Sequence, residues 1–263
     1  MNKKIKMLSY YKEAYGQKIN YKDYIQYIVG PGIFLGIFSL LLWYRVFLTI
    51  VMFIIGCIYG YKFIFPKIIY RTYQLNSLNE RNKFINNMTQ ILMDDNKTVL
   101  KALQIVLPRL NGEFKEDISR LSSRIQGANN IEVTKAFNII TDKYQYDPIF
   151  FQFCEQLESA IIEEKNNTNI LKQIKQYHND LKFKTDQFIN RKKNYLGDLK
   201  QLLFLAVVLI LVLTFSTGYD SYLNAFGHSL VGLVLGGLYF LLINSFLHSF
   251  LKNYFKDDVM SIE

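Results

Sequence analysis

The chain has 263 residues, of which 50% are hydrophobic and 16% aromatic, with 31 Lys and Arg against 22 Asp and Glu for a formal charge of +9. That length suits one or two domains. A basic excess of this kind arises from nucleic-acid contacts, from anionic lipid, or from the Lys and Arg that membrane proteins keep on their cytoplasmic side, so the placement of the charges decides. The two cysteines, Cys57 and Cys154, stand in no CxxC or Cys/His cluster, which argues against a disulfide framework or a zinc centre.

Residues 1–24 form a basic, Tyr-rich leader with six lysines. It is not read as a secretory signal, because the apolar run behind it is too long and ends at Trp43 and Tyr44 without a small-residue cleavage pattern. Two expectations for the leader stand side by side: Lys12, Lys18 and Lys22 lie against anionic headgroups, or the leader is a solvated tail.

Residues 25–66 are predicted to form a transmembrane hairpin, one helix from about Ile25 to Tyr44 and a second from about Val46 to Phe65, because about 20 apolar residues of helix cross a bilayer core. Pro31 is expected to kink or start the first helix. A second hairpin is predicted over 201–251, from about Leu202 to Phe215 and from about Leu230 to Leu251, joined by a polar segment around Gly218 to Ser221. Lys and Arg gather in the leader, after the second run (Lys62, Lys67, Arg71), before the third (Arg191, Lys192, Lys193, Lys200) and after the fourth (Lys252, Lys256). The hairpin loops offer only Arg45 and Asp220. Both termini, the 252–263 tail and the central region are therefore expected on the cytoplasmic side of the inner membrane.

Three GxxxG spacings, Gly32 with Gly36, Gly56 with Gly60 and Gly232 with Gly236, point to close helix packing within the bilayer. Whether they pack within one chain or between chains is left open by the sequence. Asn244 and His248 share a face of the fourth run and are expected to make interhelical hydrogen bonds.

Residues 67–200 repeat apolar positions at helical spacing, which predicts a six-helix bundle. The stripes are Phe84, Met88 and Leu92; Val99, Leu103 and Val106; Phe114, Ile118, Leu121 and Ile125; Val133, Ala136, Phe137 and Ile140; Phe150, Phe153, Leu157 and Ile161; and Ile170, Ile174, Tyr177 and Leu181. Turns fall at Asp94 to Asn96, Pro108 to Gly112, Gly127 to Asn130, Asp147-Pro148 and Asn166 to Asn169. Asp147 reads as an N-cap with Pro148 at the first helical position. The outer helices continue into the apolar runs with no linker.

No nucleotide-binding, zinc-protease or hydrolase motif occurs, and no catalytic residue, cofactor or metal ligand is predicted. The chain is read as no enzyme. His178, beside Asn179 and Asp180, is expected on the surface rather than as a phospho-acceptor. Arg120 and Arg124, four residues apart, and the acidic Glu158, Glu163 and Glu164 are candidates for facing partners, with a solvated surface as the plainer reading. The basic residues are not interleaved with aromatics as direct nucleic-acid binding requires.

Two stretches, FINNMTQILMDDNKTVLKALQIV and NNIEVTKAFNIITDKYQYDPIFFQFCEQLESAIIEEKNNTNILKQIKQY, give the chain its likeness to known proteins. With the layout of two helices, a helical domain and two helices, the chain resembles the type II secretion F-domain family, specifically its short tight-adherence pilus members. In the first stretch the resemblance rests on Ala102-Leu103, in the second on Glu158 to Glu164 ahead of Ile170; Asp95-Asn96 and Asn166-Asn167 stand where the family often has glycine. The resemblance implies a non-enzymatic platform that couples a cytoplasmic secretion ATPase to insertion or extraction of pilin-like subunits, beside a related platform protein or a second copy of itself. A small oligomeric channel and a membrane signalling scaffold are the alternative functions.

Overall fold

Apolar and helix-forming runs punctuated by single Gly, Pro or Asn-rich turns let the backbone satisfy its hydrogen bonds locally, and every regular element among the described residues is helical. The computed structural model describes residues 3–94 and 96–256; Asp95 of the expected second turn, and the predicted tail from residue 257 on, lie outside the described residues. The elements are α1 (Lys3–Glu13), α2 (Tyr21–Tyr24), α3 (Gly30–Trp43), α4 (Val46–Tyr59), α5 (Phe65–Leu92), α6 (Val99–Val106), α7 (Gly112–Ile125), α8 (Asn130–Lys143), α9 (Pro148–Ile162), α10 (Thr168–Thr217), α11 (Tyr219–Tyr222) and α12 (Leu230–Tyr254). Three π-helical turns occur: Ile25–Val29 and Gly60–Ile64 join neighbouring helices without breaking them, while Leu223–Gly227 follows α11 and is separated from α12 by His228 and the N-cap Ser229.

Four helical stretches are long and apolar enough to cross a membrane: Tyr21–Trp43, Val46–Leu92, Thr168–Thr217 and Leu230–Tyr254. Their large side chains are mostly turned outward, with Phe47 77%, Phe215 82% and Leu230 79% exposed. So much outward apolar surface is the opposite of a water-facing protein's pattern. The first stretch begins at Tyr21, four residues before the predicted start, because α2 and a π-helical turn lead into α3.

The chain divides into two units. One comprises the residues up to Lys18 together with Tyr70–Phe188. Its core is built by α5 to α10, and Phe84, Phe114, Tyr144, Phe150 and Phe153 meet edge to face with ring centroids 5.5 to 6.2 Å apart. Burying one such ring contributes roughly 1.5–3 kcal/mol. The stripes of α5 to α8 lie in this core as read from the sequence, and Ile161 of α9 packs at its edge. The last stripe is rotated: Leu171, Ile174 and His178 face inward, while Tyr177 is 61% exposed. Periodicity scores Tyr as apolar and His as polar, but a histidine with buried partners is stable inside. Caps agree with the sequence: Asp147 accepts from the Phe150 N–H at 3.0 Å and Thr98 from the Lys101 N–H at 3.3 Å, while Asn129 and Glu132 form a reciprocal box. α1 of the leader belongs to this unit, whereas residues 19–24 belong to the other.

The other unit holds residues 19–69 and 189–256. α3 packs along α4 and lies inside a small core of Leu35, Phe38, Leu42, Trp43, Ile210 and Phe240. Both hairpin connections sit at the same end. The Arg45 guanidinium donates to the His228 carbonyl at 3.2 Å, and the Tyr222 hydroxyl donates to the Leu42 carbonyl at 3.1 Å. At the opposite end the Lys192 ammonium donates to the carbonyls of Asn253, Tyr254 (2.9 Å) and Lys256, which closes the C-terminus of α12. Two of the π-helical turns each precede a proline by one residue, Pro31 and Pro66. A proline cannot donate to the carbonyl four residues back, and a wider turn relieves the mismatch.

Gly197 lies within α10, and a methyl group there would meet nothing within 4 Å. Gly197→Ala should therefore stabilise the protein by about 0.5–1 kcal/mol through helix propensity alone, read as a higher melting temperature in detergent.

Candidate functional site

The bundle unit contains a connected set of buried polar groups with Asp147 at its centre. Its Oδ1 caps α9 through Phe150; its Oδ2 accepts from Arg81 Nε of α5 at 2.8 Å and lies 3.2 Å from His178 Nε2 of α10. Asn82 Nδ2 sits 3.0 Å from His178 Nδ1 and 2.8 Å from Asn179 Oδ1, so both amide hydrogens are used. With Nδ1 facing the Asn82 amide, His178 donates from Nε2 to Asp147. Burial alone would raise the Asp147 pKa. The hydrogen bond from His178 and the positive Arg81, joined by the Phe150 N–H, outweigh it and hold the carboxyl well below the usual range. His178 is fully buried, which corrects the expectation of a surface histidine; both ring nitrogens are engaged, as a phospho-acceptor's would not be.

A second cluster ties the leader to the bundle. Glu113 at the start of α7 accepts from Tyr10 (3.2 Å), Tyr73 (2.8 Å) and Lys143 (2.6 Å), and its N–H donates to the Ala14 carbonyl at 2.6 Å. Burial opposes ionisation of Glu113, yet Lys143 and the two phenols lower its pKa. Lys143 also reaches Asp117 at 2.5 Å, and these two carboxylates raise its pKa against the effect of burial. Gly112 has φ +65° with Tyr15 and the Ala14 carbonyl against it, so a side chain there is excluded twice over. Tyr11 meets Tyr73 at 4.8 Å and Tyr70 at 5.6 Å. Beside this contact opens a cleft of about 850 Å³, lined among others by Glu13, Asn76, Asn79, Lys83 and Lys182. Sequence reading missed the cluster because tyrosines spread over two distant segments carry no motif.

In the hairpin unit the predicted glycines are used mainly within the chain. Gly32 of α3 and Gly56 of α4 touch backbone to backbone: a methyl on Gly56 would stand 2.7 Å from the Gly32 Cα and 2.7 Å from the Pro31 carbonyl. Gly60 lies against the Tyr27 carbonyl, which Pro31 cannot bond, and Gly36 against Phe53 and Thr49. Gly236 receives the Trp43 indole, whereas Gly232 accommodates the Phe226 carbonyl just ahead of its own helix. His248 Nδ1 bonds the Tyr59 hydroxyl of α4 at 3.0 Å; Asn244 instead bonds the Phe240 carbonyl of its own helix at 2.8 Å, so only one of the two expected interhelical bonds forms.

The partner-facing candidates separate. Arg120 and Arg124 are exposed on α7, and Arg120 makes a loose 3.9 Å contact with Glu116. Glu158 is half-buried and accepts from the Thr134 hydroxyl at 2.5 Å. Glu163 and Glu164 are exposed at the end of α9, Glu164 in the left-handed region with φ 53°.

No protein-family model matches the chain, and no solved structure matches it. Uncharacterized protein pXO2-23 of Bacillus anthracis is 39% identical over 253 residues, which is 96% of this chain and 91% of that protein. The chain belongs to the same family as pXO2-23. A match of that extent takes in the four apolar helices and the bundle between them, so the pXO2-23 family carries both units together.

Two measurements test this geometry. Asp147→Ala leaves Arg81 and His178 facing a void and should cost about 3–5 kcal/mol. Because the folded pKa values of Asp147 and Glu113 lie below their unfolded values, their contribution is complete above the unfolded carboxylate range near pH 4, shrinks as pH falls below it and is gone only below the folded values. Melting temperatures of wild type and Asp147→Asn should therefore converge progressively as pH falls below about 4. In the hairpins, Gly56→Leu should lower the melting temperature by the equivalent of about 1–3 kcal/mol. Gly237→Leu, where nothing lies within 4 Å, should not.

Proposed function

We propose that this chain is an inner-membrane platform protein without enzymatic activity, part of a machine of the type IV pilus or tight-adherence kind. In this reading its four apolar helices form two transmembrane hairpins. The bundle and both termini face the cytoplasm, where the bundle engages a secretion ATPase and passes its motion to pilin-like subunits in the bilayer. A related platform protein or a second copy completes the assembly.

The observation that carries the reading is mechanical. α10 runs as one helix of 50 residues from the bundle core into an apolar span, and the helical path from Val46 to Leu92 does the same at the other side. Within the bundle, Asp147 holds α5 and α10 through Arg81 and His178. Two stiff helices tied to one buried carboxylate are suited to carrying force, because a helix transmits displacement along its axis without a flexible joint. The distribution of Lys and Arg supports the orientation, and the two hairpin connections, at one end of their unit, carry few charges. A pore lined by glycine faces is less favoured, since Gly32, Gly56 and Gly60 are filled by the chain's own helices.

Crosslinking in native membranes should recover a Walker-motif ATPase on the bundle; a bundle that captures none refutes the coupling. Gly197→Pro, which interrupts α10, should leave the protein inserted and ATPase-bound while abolishing surface assembly or secretion. A membrane-impermeant thiol reagent should label Thr217→Cys in intact cells and Ser123→Cys only after lysis.

A further inference from the structure

α8 and α9 present two exposed faces that complement one another in the same order. On α8 the face is Ile131 (69% exposed), Lys135 and Ile139 (53%). Arg124 of α7 lines a groove of about 170 Å³ with Ile139. On α9 it is Phe151 (41%), Glu155 and Ile162 (37%). Each face reads apolar, charged, apolar, and the charges are opposite. Arg124, Lys135 and Glu155 have no ion pair among the described residues. Asp117, the one acid in the groove, is already occupied by Lys143 and the Tyr144 hydroxyl.

The levels of the two faces also agree. The Thr134 to Glu158 hydrogen bond fixes the register of α8 against α9, which run in opposite directions from the short connection at residues 144–147. Counting outward from that bond at 1.5 Å per residue, Ile131 lies level with the turn holding Ile162. Lys135 lies level with the turn of Glu155 to Glu158, and Ile139 with the turn holding Phe151. Two copies placed side by side about an axis parallel to these helices therefore bring Ile131 to Ile162, Lys135 and Arg124 to Glu155, and Ile139 to Phe151. An arbitrary acidic partner would not be bound to match apolar positions on both sides of the charge.

We infer that the α7/α8 face of one copy docks on the α9 face of a second copy, a head-to-tail contact made by the bundle. Such a contact uses different surfaces on its two sides, so repetition gives a closed ring or an open row rather than a two-fold dimer. The inference does not depend on the platform reading, because it uses only the two faces.

The test uses the full chain in native membranes, with Cys57→Ala and Cys154→Ala as background and two copies carrying different tags. Ile139→Cys in one copy and Phe151→Cys in the other should form a disulfide of dimer size under mild oxidation. Adding Arg124→Glu and Lys135→Glu to the first copy should reduce its yield at least tenfold. Adding Glu155→Lys to the second copy should then restore it, which no folding defect would do. Ile139, Phe151, Arg124, Lys135 and Glu155 are all exposed, and melting temperatures unchanged from the cysteine-free background confirm intact bundles. An absent crosslink, a crosslink indifferent to the charge reversals, or a face that captures only an acidic helix of another protein would each overturn the inference.

Discussion

A single buried carboxylate sets the terms for the bundle. Asp147 begins α9, binds Arg81 of α5 and His178 of α10, and leaves no lone pair of its Oδ2 for water. Removing a charge from water is costly, and only the fit of three donors from three helices offsets that cost. The arrangement is therefore unforgiving of sliding: a shift of α5 or α10 by one residue along its axis, 1.5 Å, would break the contact. The aromatic cluster around Phe84, Phe114 and Phe150 is fully buried but tolerates small displacements, because ring contacts are not directional to the same degree. Cohesion and register are thus supplied by different groups.

The hairpin unit solves the same problem with no charge along its helix-to-helix contacts. For helices apolar enough to cross a bilayer, where lipid offers no hydrophobic drive to associate, close approach must be gained from shape. Gly32 against Gly56 gives α3 and α4 contact at the backbone, and Trp43 against Gly236 brings in α12. The polar ties are confined to the ends, where Arg45 and Tyr222 close one set of carbonyls and Lys192 the other. A charge in the middle of helices this apolar would lack polar partners, whereas at the ends it completes helix termini.

Much of this was legible in the residues. Apolar run length found the four long helices, and periodicity found the faces of α5 to α9, because those signals follow from helix geometry alone. The Asp147 cap was legible as Asp-Pro, but its two other partners were not: Arg81 and His178 lie 66 and 31 residues away, and no local pattern joins them. The inward face of α10 was misjudged for the same reason, since Tyr177 is the better apolar residue and His178 the better-partnered one. Docking of α1 was hidden because each contact is an ordinary tyrosine, lysine or glutamate whose meaning arises only from the turn at Gly112. The glycine spacings were visible, but their partners were not; Gly232 follows the pattern yet packs on its own preceding turn.

The turn at Ile25–Val29 holds one residue more than an α-helix would need between Tyr24 and Gly30, with the Gly30 N–H reaching back to Ile25. A straight α-helix taking up that extra residue would rotate everything on its N-terminal side by about 100°, and the wider turn absorbs it instead. In the straight helix Tyr24, whose ring stacks on Phe65 at 5.3 Å, would swing off its partner. The wide turn therefore keeps α2 in phase with α3 despite one inserted residue, so that local backbone geometry, more than side-chain identity, preserves the Tyr24 contact.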